Sequence, residues 1–115
     1  MLIPPEIQVI IDRLHQEIDE MVQEATVGLD ILRRVMSNFP ENVILVQYFA
    51  YLNALLFFAE TSRSQIQAIA QTLSPVNVPA EVIQESGEDL GNLLGRVIEA
   101  KTRVEQILNF LRGLP

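Results

Sequence analysis

Two groups of carboxylates are the side chains in this sequence best suited to chemistry. Glu17, Glu20 and Glu24, with Asp19 among them, form one group, and Glu81, Glu85, Glu88 and Asp89 form the other. Carboxylates converging from two helices can hold Mg²⁺ against phosphate oxygens, because this ion takes hard oxygen ligands and keeps several of its waters. His15 is the single histidine and follows Asp12 by three residues. Helical di-metal sites use a related Glu-x-x-His step, but they need two such motifs and further glutamates. One histidine beside Ile11 and Leu14 is therefore expected to be a surface residue. With no cysteine in the chain, thiol catalysis, thiolate metal sites and disulfides are excluded. Neither a Gly-x-Ser-x-Gly elbow nor a phosphate-binding loop occurs. The expectation is thus no catalytic residue, no resident metal and no cofactor.

The elements that must carry these groups are delimited by proline. Pro4, Pro5, Pro40, Pro75, Pro79 and Pro115 all lie outside the long periodic segments, as they must, because proline lacks the N–H and clashes with the preceding turn. Steps of four and three join Ile7, Ile11, Leu14, Ile18, Met21, Ala25, Gly28, Leu32, Val35 and Phe39, with Ile10, Val22, Leu29 and Met36 widening the stripe. A second block begins near Pro40–Glu41 and carries Leu45, Tyr48, Leu52, Leu55 and Ala59, then Ile66, Ile69 and Leu73. A third carries Ile83, Ser86, Leu90, Leu93, Val97, Ala100, Val104, Ile107, Leu111 and Leu114. Its start is open between Pro79–Ala80–Glu81 and a capping box at Ser86–Gly87–Glu88–Asp89, with the earlier site favoured. Helices are predicted over about 5–38, 41–73 and 80–112, each roughly 50 Å long.

Short connections between long helices favour antiparallel neighbours. The fold class is therefore all-α: an up-down-up bundle of three long helices, one domain spanning 1–115, dimerising into a larger helical bundle. The layout is similar in outline to spectrin-type repeats, in helix number only, since tryptophan is absent. The paired acidic groups resemble those of the all-α nucleoside triphosphate pyrophosphatases, which implies an alternative function as a Mg²⁺-dependent nucleotide phosphohydrolase using Glu17, Glu20, Glu24, Glu85, Glu88 and Asp89. In an up-down-up bundle the first and third helices run parallel, and the two groups are offset by roughly 10–15 Å along them. That is too far for one ion within a chain, so this alternative requires a dimer.

The second helix carries the main functional expectation. From Val43 to Ala59, 15 of 17 residues are apolar, broken only by Gln47 and Asn53. The side opposite the core stripe still presents Val43, Val46, Ala50, Ala54 and Phe57, and a helix apolar all round must be buried all round. Five of the seven aromatics also lie here, an enrichment typical of interface cores. These features predict a homodimeric protein–protein interaction or assembly protein (adaptor, chaperone-like factor or scaffold subunit). Its self-association residues would be Val46, Phe49, Ala50, Asn53, Phe57 and Phe58, with Asn53 fixing register. Membrane insertion is disfavoured: the uncharged run from Asn42 to Ala59 is 18 residues, contains Gln47 and Asn53, and has its tyrosines mid-segment. Gly87, Gly91 and Gly95 recur at every fourth position of the third helix, a spacing that admits close approach of another helix.

Composition narrows the partners. Fifteen acids against 8 bases give a formal net charge of −7, which argues against nucleic acid. Arg96, Lys101, Arg103 and Arg112 gather in the last third, where they suit the C-terminal end of a helix dipole. No basic stretch leading into a short apolar run opens the sequence, so the expected location is cytoplasmic.

Overall fold

The computed structural model describes residues 3–114. Among them 86% are helical and none lies in a strand. The helices are α1 (Pro5–Met36), α2 (Val43–Leu73) and α3 (Ala80–Arg112).

Each boundary has a local cause. Pro5 opens α1, where a missing N–H costs nothing, with Glu6 in the first turn and Arg33 and Arg34 in the last. The chain leaves α1 before Phe39, so that ring sits beyond the helix and is exposed rather than continuing the stripe. The predicted start of α2 at Pro40–Glu41 is two residues early. Asn42 supplies the stronger signal, its side-chain oxygen accepting from the Leu45 amide at 3.1 Å. For α3 the earlier start holds: Pro79 offers its carbonyl to the amides of Val82 and Ile83. Ser86 is buried inside the helix, so the capping box is not used.

Contacts between side chains give the topology directly. Along α1 and α3, Ile7 lies beside Gly87, Glu17 and Glu20 meet Lys101, and Gly28 faces Leu108. Both numbers rise together, so α1 and α3 are parallel. Asp19 pairs with Arg63, Gly28 with Leu52, and Arg33 with Phe49. Here one number falls as the other rises, so α2 runs antiparallel to α1; the pairs Arg96–Phe58 and Arg103–Tyr51 make it antiparallel to α3 as well. The bundle is an up-down-up rod of 59 × 19 × 17 Å.

The core is one continuous seam. Leu14, Ile18, Met21 and Leu32 of α1 meet Leu52, Ile66 and Leu73 of α2 and Leu90, Leu93, Val97 and Val104 of α3, all fully buried. Packing is uneven: α1 touches α3 most extensively, whereas α2 and α3 touch least. A shallow trough therefore remains open between α2 and α3.

Candidate interaction surface

The self-association residues predicted on α2 divide into two sets. Val46 (43% exposed) and Phe57 (68% exposed), with Ala50 and Asn53, face solvent. Together with Val43 they step by three and four residues, the spacing of a single helix seam. The Asn53 amide donates to the Phe49 carbonyl one turn back at 3.0 Å, which keeps the side chain against its own helix. Phe49 and Phe58 sit on the flanks instead and are half-buried.

Arginines from the neighbouring helices cover those flanks. The Arg33 guanidinium of α1 lies 5.9 Å from the Phe49 ring centre. On the other side Arg96 lies 5.8 Å from Phe58, and Arg103 lies 5.4 Å from Tyr51. A guanidinium over a ring face is attracted by the ring quadrupole while its stem shields apolar surface. Tyr48 is held edge-on to Phe110 of α3, with ring centres 5.6 Å apart. Four of the five aromatics of α2 thus have partners within the chain, and Phe57 is left bare. Sequence reasoning assigned Arg96 and Arg103 to the helix dipole, whereas their side chains are spent on aromatic faces. Their spacing of seven on α3, matching the Tyr51–Phe58 spacing on α2, is the signal that would have found them.

The acidic groups are not brought together. Lys101 enters the α1–α3 seam and donates to Glu17 at 3.2 Å and Glu20 at 3.1 Å. Lys101 and Glu17 are each only 17% exposed. Burial alone would lower the Lys101 ammonium, but hydrogen bonds to Glu20 and Glu17 and their charges outweigh it, holding its pKa above the ordinary lysine value. Burial raises the Glu24 carboxyl, and the nearby Glu105 charge raises it further. Glu85, Glu88 and Asp89 lie at the Ile7 end of the rod, roughly 20 Å along α3 from Lys101. Among the described residues no three His, Asp or Glu side chains gather closely enough to hold a metal ion. Asp12 accepts from Gln8 at 2.8 Å, and His15 is exposed.

Among the described residues, two of the three glycines of the predicted strip have no close neighbour. A methyl group added at Gly91 or Gly95 meets nothing within 4 Å, and one at Gly87 only grazes Ile7. The close approach is at Gly28, where an added Cβ would stand 2.7 Å from Leu52 Cδ1 and 3.5 Å from Leu108 Cδ2. Gly28 lets α1 sit deep between the other two helices.

By length and composition α2 is also apolar enough to cross a membrane, and 22% of its most apolar 18-residue window is buried in the bundle. At the adjoining end of the rod a hollow of about 320 Å³ opens between Val35, Phe39, Ile44 and Phe110. It extends the apolar surface from α2 around the first interhelical connection. No family model, curated protein or solved structure matches this chain.

Proposed function

We propose that the protein is a non-enzymatic assembly or adaptor subunit that pairs with a second copy of itself through the outward seam of α2. One observation carries this reading: Val43, Val46, Ala50, Asn53 and Phe57 form an exposed, uncharged stripe at heptad spacing, on the side of α2 away from the core. Contiguous apolar patches of this kind are uncommon on monomers. A two-fold axis across the stripe would bury the same residues from both copies, which is the simplest closed arrangement. Asn53 would then favour registers that satisfy its amide, since a buried unpaired amide is costly. The arginine-covered flanks fit the rim of such a contact, where charged groups remain wet.

Light scattering over a wide concentration range tests this directly. The expected mass is twice 13.0 kDa, falling toward 13.0 kDa on dilution or in Phe57→Glu. A wild-type mass of 13.0 kDa at every concentration would overturn the reading. Partition of the chain into detergent rather than buffer would transfer the stripe to a membrane contact.

A further inference from the structure

We infer that the trough between α2 and α3 docks an amphipathic helix of a partner protein that carries an acid, a base and an acid on three successive turns. The trough encloses about 510 Å³, with Leu55 and Ala100 in its floor and Tyr51 and Phe58 on the α2 side. Arg96, Glu99 and Arg103 line it from α3. This inference goes beyond the proposed self-association and does not rest on it. The trough lies on the α3 flank of α2, whereas Val46, Ala50 and Phe57 face away from the core.

The charges specify the occupant. The chain has 15 acids and 8 bases. Yet among the described residues no carboxylate lies within 4 Å of Arg96 or Arg103, and no basic group lies that close to Glu99. Both guanidiniums are already positioned over rings, so less freedom is lost when they bind a carboxylate. They stand about 10 Å apart along α3. One compact ligand does not span that distance, whereas a helix lying along the trough does. Glu99, one turn from each arginine, would repel a uniformly acidic segment and calls for a basic residue between the two acids. Apolar residues beside these three on the partner helix would cover Leu55 and Ala100, completing a four-helix packing where α2 and α3 touch least.

Three labelled synthetic peptides test this, each a leucine-rich amphipathic helix differing only at its three trough-facing positions: Glu–Lys–Glu, Lys–Glu–Lys or all glutamine. Fluorescence anisotropy against the full chain should show Glu–Lys–Glu binding about tenfold tighter than Lys–Glu–Lys. The R96E/R103E double variant should reverse that order, and R96Q/R103Q should weaken it to the residual preference of Glu99 for a central lysine. Phe57→Glu lies outside the trough and should keep the Glu–Lys–Glu preference whatever its mass by light scattering, so failure of the self-association reading and failure of this one are read separately. No binding by Glu–Lys–Glu, equal affinities for the three peptides, or a preference unchanged in R96Q/R103Q would overturn the inference.

Discussion

Ser62 sits in the core with 1% of its surface exposed, and its Oγ has no hydrogen-bond partner among the described residues. A buried hydroxyl without a partner costs more than it returns, so Ser62→Ala should stabilise the bundle by about 1 kcal/mol, read from denaturant unfolding. Lys101 is the opposite case. Replacing it by methionine strands Glu17 in the α1–α3 seam and should cost about 1–3 kcal/mol. Because its folded pKa is raised, the stabilisation from Lys101 is in full force below the unfolded lysine value and is lost as pH rises through the folded one. Glu24 also has a raised folded pKa, so its contribution is complete in acid and is lost as pH climbs through that value. At neutral pH the charged carboxylate is therefore a liability. Glu24→Gln should raise the unfolding midpoint near pH 7, and that gain should shrink as pH falls toward the ordinary carboxylate range. A gain that grows in acid would contradict the assigned environment.

At the scale of the helices, glycine separates what the sequence discloses from what it hides. Gly91 and Gly95 face open space, so Gly91→Ala and Gly95→Ala should each add about 1 kcal/mol of stability through helix propensity alone. Gly28→Ala gains the same propensity but drives a methyl group into Leu52, which is fully buried, and should be net destabilising. Thermal melts of the three variants give the order. In the sequence Gly28 looks like one more small position in the α1 stripe, and nothing local marks it as the point of closest approach. By contrast the stripe itself is legible, because burial on one face enforces a three-and-four step that few other arrangements produce. From Ile7 to Leu32 each of its positions is buried. Proline placement was equally informative and gave the start of α3 correctly. The start of α2 was misread because proline and glutamate signal a helix only in general, while Asn42 makes the actual cap. The apolar excess of α2 was visible, but its division into a bare seam and arginine-covered flanks was not. That division depends on which residues of α1 and α3 arrive alongside, a matter of interhelical register.

For the whole molecule, charge and apolar surface act in opposite directions. Two copies with a formal charge of −7 each repel one another, while the seam proposed to join them contains no charge. Added salt screens the repulsion without weakening the contact, so association should shift to lower protein concentration as ionic strength rises. The same light-scattering series, repeated at low and high salt, reads this shift. An association weakened by salt would indicate a contact built on ion pairs instead. The 59 × 19 × 17 Å outline bears on any such measurement. A rod about three times longer than wide tumbles and diffuses more slowly than a sphere of equal mass, so gel filtration assigns a single chain the elution position of a heavier one. An early-eluting peak is what the lone bundle produces by its shape, and the number of chains in solution must be weighed rather than sized.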